Sequence, residues 1–303
     1  MVKPSDRNPW ERQLADDVVR ALARAVLPRQ LRNWLRSPRA TAAWLQGTLA
    51  HLAGRNPVVE LRPGWRLRCH PVALRTAYRV MLEDPAQVLE LDGFIAACAP
   101  GMVLYDVGAH FGIFSLAALH FGGPQALAVA VDPSAAAARM LRRMARLNAT
   151  GDRLRIIRAA AVAVDGVTDV VDAGVVAAGY AVRPGAAHPA GERTAVPAVT
   201  VDRLCARLRL WPTHLKIDVE GFESDVLRGA RATLREADRP LVFIELHNAI
   251  VGEGGGDPSA AIRELLEARY DLFDVHGAPA RAENLLSHDL VRVVARPHAA
   301  PAA

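Results

Sequence analysis

The stretch Met102-Val103-Leu104-Tyr105-Asp106-Val107-Gly108-Ala109-His110-Phe111-Gly112 opens on an apolar run and closes on a glycine loop. Met102 to Val107 reads as a buried strand, and Ile113 to Phe121 as a helix closed by Gly122-Gly123-Pro124. The small residues between them let the backbone turn tightly and approach a ligand, whose polar groups would meet free N–H groups at the helix start. Downstream, Leu127 to Val131 reads as the next strand, and Pro133 opens a helix through Asn148 with Met140, Leu141, Met144 and Leu147 on its buried stripe. Leu154 to Arg158 follows as a third strand. Strand, helix, strand, helix, strand implies right-handed crossovers, so the expected fold class is α/β with a doubly wound, mostly parallel sheet.

Further along, residues 173–197 are rich in Ala, Gly and Pro and weakly periodic, which fits a mobile flap or a hairpin beside the site. Regularity returns with a helix at Val201 to Leu208, a strand at His214 to Val219 and a helix from Phe222 to Glu236. A strand at Leu241 to Leu246 and a helix at Pro258 to Arg269 come next, and Leu272 to Val275 and Leu290 to Val294 are the last expected strands.

Upstream, Trp10, Leu14, Val18, Leu22 and Val26 recur every four residues and predict an amphipathic helix. A second helix is expected over Ala40 to Leu52, then two short strands, Val58 to Leu61 and Trp65 to Cys69, around Pro63-Gly64. Residues 71–98 read as helical with a break near Pro85. The domain reading is a basic, mainly helical appendage over 1–80 and a main domain over 81–298.

Composition narrows the class. Of 303 residues, 51% are apolar and 23% charged, which excludes wholesale disorder. No apolar run approaches the length of a membrane span, and the acidic and basic residues of the N-terminus exclude a signal-peptide centre. Three scattered cysteines, Cys69, Cys98 and Cys205, form no CxxC pair and build neither a disulfide framework nor a thiolate zinc site, so a reducing, cytoplasmic location is expected. The net charge of +5 divides into +10 over residues 1–80 (15 Lys+Arg, 5 Asp+Glu) and −5 over the rest (22 against 27). The basic segment has no nucleic-acid motif, and specific nucleic-acid binding is not expected. A lid, a dimer arm and a docking module remain its open roles, with self-association through its helices among the partner expectations. Lys3 and Lys216 are the only lysines among 37 basic residues.

The candidate chemistry sits at strand ends. The loop lacks the dinucleotide GxGxxG spacing, because His110 stands two and Ile113 five residues after Gly108. Asp132 ends the second strand about two dozen residues past Gly108, where a doubly wound sheet places a carboxylate on the two hydroxyls of a ribose. Leu215-Lys216-Ile217-Asp218-Val219-Glu220-Gly221-Phe222-Glu223 alternates charged and apolar residues on an expected central strand. A period of two puts Lys216, Asp218 and Glu220 on one side if the strand runs that far. Phe243-Ile244-Glu245-Leu246-His247-Asn248 repeats the design, with Glu245 and His247 facing alike. A structural ion-pair network at the strand ends is the competing explanation.

The Asp106/Gly108/Gly112 spacing resembles motif I of class I S-adenosylmethionine (SAM) methyltransferases. Together with Thr200-Val201-Asp202-Arg203-Leu204, the Lys216–Glu223 strand end, Val226-Leu227-Arg228-Gly229-Ala230 and the Ile244–Asn248 strand end, it makes residues 90 to 295 resemble the FkbM-type methyltransferases. One departure is Asp132, where many relatives carry Glu. The resemblance implies a seven-stranded Rossmann-like sheet, SAM as donor and a hydroxyl of a small-molecule natural product or sugar (a glycan) as acceptor. It also implies that Asp106, Gly108, Ala109, His110 and Gly112 border the methionine end of SAM, Asp132 the ribose, and Ala160 and Ala161 the adenine. Asp218, Glu220 and His247 would face the acceptor.

His247 is the first choice of base, since an unperturbed imidazole titrates nearest neutral pH; Asp218 is the second, oriented by Lys216 or with Lys216 stabilising an alkoxide. A competing use gives the oxygens of Asp218, Glu220 and Glu245 to Mg²⁺, although their spacing is not diagnostic of any metal. Two rivals remain: a dinucleotide-dependent oxidoreductase, disfavoured by the missing third glycine, and a non-catalytic SAM-fold subunit docking a partner through the basic helices.

Overall fold

The computed structural model describes residues 38–172, 179–181, 192–236 and 238–298. The helix expected over 10–26 and most of the 173–197 stretch lie outside them. Contacts divide the chain into two units, Met1–Asn56 and Pro57–Ala303, so residues 57–80, read from sequence as appendage, fall within the second unit. The described part of the first unit is the helix α1 (Pro38–Leu52) and the turn after it, where His51 Nδ1 lies 2.7 Å from Asn56 Oδ1.

The second unit opens with the antiparallel hairpin β1 (Val58–Arg62) and β2 (Trp65–Arg68). Alternation in β2 buries Trp65 and Leu67, while Arg66 and Arg68 face water. The helical run that follows is Pro71–Ala73, a π-helical turn at Leu74–Tyr78, and Arg79–Glu83. The extra residue in the π turn was not legible in the sequence. The run buries Tyr78, whose hydroxyl donates to Phe111 O at 2.8 Å and so pins this segment to the glycine loop. Asp84 then caps α2 (Pro85–Ala97), accepting from Ala86 N, with Pro85 at the first helical position.

The main sheet is built from β3 (Val103–Val107), α3 (Ile113–Phe121), β4 (Leu127–Val131), α4 (Ala135–Leu147) and β5 (Leu154–Ile157). After an excursion it continues with α5 (Val201–Leu208), β10 (His214–Ile217), α6 (Glu223–Arg228), β11 (Leu241–Leu246), α7 (Asn248–Glu253) and α8 (Ser259–Glu267). The chain ends through β12 (Tyr270–Phe273), α9 (Ala282–Leu286) and β13 (Val291–Pro297). Strand order is β12-β13-β11-β10-β3-β4-β5, with β13 antiparallel to both neighbours and the pairs from β11 to β5 parallel. The order reverses at β3, so β3 and β10 lie side by side with their C-terminal ends flanking the switch point where such sheets bind ligands.

The excursion is a second, four-stranded sheet of β6 (Ala160–Ala161), β7 (Gly166–Asp172), β8 (Gly179–Ala181) and β9 (Glu192–Val199), in the order β6-β9-β7-β8. β7 and β9 pair antiparallel over seven residue pairs, so the stretch expected as flap or hairpin begins and ends on paired strands.

Two expectations are corrected in detail. The strand at His214 ends at Ile217, not Val219, so Asp218 and Glu220 lie beyond the ladder and are not placed by its period of two. The helix expected over 222–236 breaks after Arg228, because Gly229 packs on the main chain of β6's continuation: a Cβ there would lie 2.0 Å from Val162 O. Asp202 then accepts from Thr233 N and Thr233 Oγ1, starting a 3₁₀ turn instead. Among the described residues no helix is long and apolar enough to cross a membrane.

Candidate functional site

The C-terminal ends of β3, β4, β10 and β11 open into a cavity of about 420 Å³, in the size range of small-molecule and cofactor pockets. Asp106, Gly108, Ala109, His110, Gly112, Asp132, Ala160 and Ala161, the residues expected at a nucleoside cofactor, all line it. Lys216, Asp218, Glu220 and Glu245 line it as well. The loop after β3 is held by Gly108 N and Ala109 N, both donating to Val131 O at 2.9 and 3.2 Å. Gly108 has φ +83°, and a Cβ on it would lie 1.7 Å from Asp218 O, so only glycine lets the loop sit this close to the end of β10.

Asp106 is buried and accepts at one oxygen from Ser115 N (3.0 Å) and Ser115 Oγ (2.6 Å), which fixes the first turn of α3. Burial raises its pKa, against the pull of Ser115 and Lys216. Asp132 accepts from His110 N at Oδ2 (2.9 Å) and from Ser134 N at Oδ1 (2.8 Å). These two main-chain donors, from the glycine loop and from the turn after β4, set the orientation of the carboxylate. His110 stacks on Phe111 with centroids 3.8 Å apart, and its Nε2 is buried with no hydrogen-bond partner among the described residues. A buried donor or acceptor left open in a cavity wall fits a site that a polar ligand completes. The lining thus fits SAM: a half-buried carboxylate for the ribose, an open ring nitrogen for a polar group of the ligand, and two alanines for the adenine face.

Burial pushes His110 down to about 4. Its unfolded value is near 6.5, so between those two pH values the unfolded chain binds more protons, and stability falls as pH drops through that window. His110→Asn keeps a residue tolerant of its positive φ (47°) but removes the titration. The variant is expected to lose about 1–2 kcal/mol less than the parent chain between pH 7 and pH 4.5, read by urea unfolding at both pH values. Equal losses in the two proteins would refute the assignment.

The second half of the site is an ionic network the sequence only hinted at. Lys216 is 1% exposed, and its Nζ lies 2.9 Å from Glu90 Oε1 and 3.2 Å from Glu245 Oε1, 5.0 Å above the Phe114 ring. Arg292, from β13, closes the ring with contacts to Glu90 Oε2 (3.2 Å) and Glu245 Oε2 (3.1 Å). Burial would pull Lys216 down, but Glu90, Glu245 and Asp218 hold its pKa above the ordinary value. Burial pushes Glu245 up, yet Lys216 and Arg292 hold it down to about 2. Glu90, the more enclosed of the two carboxylates, is pushed up to about 8 by burial despite the ammonium beside it.

Lys216 is thus committed to these two carboxylates, which corrects the expectation that it orients Asp218. Glu245, expected to face the same way as His247 or to give an oxygen to Mg²⁺, has both oxygens engaged by cations. Sequence reasoning missed Glu90 and Arg292; the signal for Glu90 was a lone acid inside the apolar run Val88-Leu89-Glu90-Leu91.

Asp218, Glu220 and His247 do converge. His247 is buried and directs Nε2 toward Asp218 Oδ1 (3.8 Å) and Glu220 Oε2 (3.5 Å). Its Nδ1 is 2.7 Å from Glu223 Oε1, and Glu223, itself buried, also accepts from Gly221 N at 2.9 Å. Asp218 keeps 36% of its side chain exposed, and both it and Glu220 line the cavity, with His247 behind them. Burial would pull the imidazole down, but Glu223, Asp218 and Glu220 hold it up to about 9. The three carboxylates thus favour the protonated ring, so the imidazole is perturbed and not the free base that the sequence reading assumed. Partial enclosure in the cavity wall and the Glu245 charge raise the Asp218 pKa, against Lys216 and His247. Burial raises Glu220 as well.

Among solved structures, the chain is similar to the methyltransferase FkbM from Methylobacillus flagellatus (16% identity, TM-score 0.43, 74% of this chain and 54% of that one). It therefore spans about half the length of that protein. It is also similar to an SAH-bound methyltransferase from Podospora anserina (11%, TM-score 0.41, 83% and 94%) and to Aeropyrum pernix fibrillarin in complex with S-adenosyl-L-methionine (15%, TM-score 0.37, 65% and 67%). No curated protein matches. The profile of the methyltransferase FkbM domain matches residues 106–272, from the acid of the glycine loop to β12 and over more than half of the chain. By that match, the chain belongs to the FkbM methyltransferase-domain family.

Proposed function

We propose that the protein is a SAM-dependent O-methyltransferase acting on a hydroxyl of a small-molecule natural product or sugar. The observation that carries the reading is one cavity lined on one side by the glycine loop and Asp132 and on the other by the Asp218–Glu220 pair. SAM, when bound, supplies a methyl group already activated by its sulfonium. What remains for the chain is to align the acceptor oxygen, exclude water and stabilise the proton that oxygen gives up. Asp132 and Gly108 to Gly112 bind and orient the donor; Ala160 and Ala161 leave room for a flat base. Asp218 and Glu220 hold the acceptor hydroxyl, and the buried Lys216–Glu90–Glu245–Arg292 ring keeps the floor beneath them rigid.

Calorimetric titration of the full chain with SAM and, separately, NAD tests the donor. SAM is expected to bind and NAD to stay silent. Asp132→Ala is expected to weaken SAM binding about 10- to 100-fold, the scale of lost hydrogen bonds to a charged group. Unchanged SAM affinity in a variant that still unfolds cooperatively would overturn the donor assignment.

A further inference from the structure

We propose that Asp218, Glu220 and His247 form a binding site for a first-row divalent cation, with Mn²⁺ the best match to the donor set, placed against the acceptor side of the cavity. This deepens the reading given under the function above and rests on it only for the role of the cation, not for its binding. One ligand atom from each residue, two carboxylate oxygens and an imidazole nitrogen, lies within 4.8 Å of the others.

His247 Nε2 is 3.8 Å from Asp218 and 3.5 Å from Glu220, too far for a well-made hydrogen bond to either. Around an ion with bonds of about 2.1–2.2 Å, neighbouring ligand atoms lie roughly 3.0–3.6 Å apart, whether the arrangement is octahedral or tetrahedral. The observed spacings lie within a few tenths of an ångström of that range. A group contracted onto a shared proton would be closer.

His247 is 8% exposed, and its hydrogen bond runs through Nδ1 to Glu223. Nε2 is left aimed at the gap between the two carboxylates. A carboxylate behind the ring, fixing its orientation and enriching the far nitrogen, is the usual support of a metal-bound histidine. Glu223 is 2% exposed and is held in turn by Gly221 N, so the supporting residue is as rigid as the ring. Asp218 and Glu220 stay partly open to the cavity, which leaves coordination positions for water or an acceptor oxygen.

Glu245 lies near but is neutralised by Lys216 and Arg292, so the ligand set takes His247 in its place. A nitrogen donor among oxygens favours Mn²⁺ over Mg²⁺, which prefers an all-oxygen shell. A cation here would bind the acceptor hydroxyl and lower its pKa, giving the acidic pair a direct part in the chemistry.

The test is Mn²⁺ binding to the chelator-stripped, dialysed full-length chain, followed by the EPR signal of free Mn²⁺, with and without SAM. One saturable equivalent per chain is expected, with Mg²⁺ competing only at higher concentration. Asp218→Asn and Glu220→Gln should each weaken Mn²⁺ at least tenfold while leaving the thermal midpoint within a few degrees. With Co²⁺ as probe, His247→Gln should change the visible d–d spectrum, a readout that a merely structural histidine would not move. Saturable binding that depends on these residues supports the site whether or not SAM binds. Its absence, or binding indifferent to the Asp218→Asn/Glu220→Gln double variant, overturns it. Failure of SAM to bind a chain that still takes up Mn²⁺ would instead count against the proposed donor.

Discussion

Lys216→Met is expected to destabilise the protein by about 3–5 kcal/mol at pH 8, the cost of leaving buried carboxylates without their cation. The side-chain volume is nearly kept, so little of that loss comes from packing. Glu90 and Glu245 would then share Arg292 alone, at the junction of α2, β11 and β13. Glu90 already sits near 8 with the ammonium in place, and removing Lys216 moves it higher. The sign follows: a protonated Glu90 relieves the imbalance, so the variant's deficit should shrink as pH falls from 8 toward 6. The double variant Lys216→Met/Glu90→Gln should recover a large part of the loss, since the two act as one unit. Urea unfolding of the parent and both variants at pH 6 and 8 measures this. A deficit below 1 kcal/mol at pH 8, or additivity in the double variant, would show that the network is not the electrostatic clamp described.

Gly108→Ala is expected to abolish saturable SAM binding and to cost about 2–5 kcal/mol, combining the price of a positive φ with a main-chain clash. The added Cβ would fall 1.7 Å from Asp218 O, a backbone atom with no rotamer to yield. The loop after β3 and the end of β10 must therefore separate, and that moves the donor half of the cavity away from the acidic pair. Gly123→Ala is the control: its φ is +77° but nothing lies within 4 Å of its Cβ, so it isolates the conformational part of the effect. A Gly108 variant indistinguishable from the Gly123 variant in midpoint and SAM affinity would refute the close-approach argument.

How far the sequence can be read depends on the range of the interaction. β3, α3, β4, β11 and α5 were legible almost to the residue, because apolar period and glycine, proline or threonine punctuation are local signals. The loop's partnership with Asp132 was legible too, since both lie at adjacent parallel strand ends whose spacing a βαβ unit fixes. The length of β10 was not: an alternating pattern runs on through Glu220, while the ladder with β3 and β11 stops at Ile217. Nor was the π turn at Leu74–Tyr78, which is stabilised by where Tyr78 lands and not by local propensity.

From the amino-acid order alone came the doubly wound sheet, the glycine loop, the strand-end Asp132 and the family resemblance, because each is written in short, contiguous spacings that any chain of this pattern would obey. Which charges meet was decided only by the tertiary structure. Lys216 chose Glu90 from α2 and Glu245 from the next strand, Arg292 arrived from the antiparallel β13, and His247 turned its far nitrogen to Asp218 and Glu220 because Glu223 holds the near one. Ionic pairing in a buried site is set by which side chains the packing leaves within a few ångströms, and a sequence separation of 202 residues between Glu90 and Arg292 carries no trace of it.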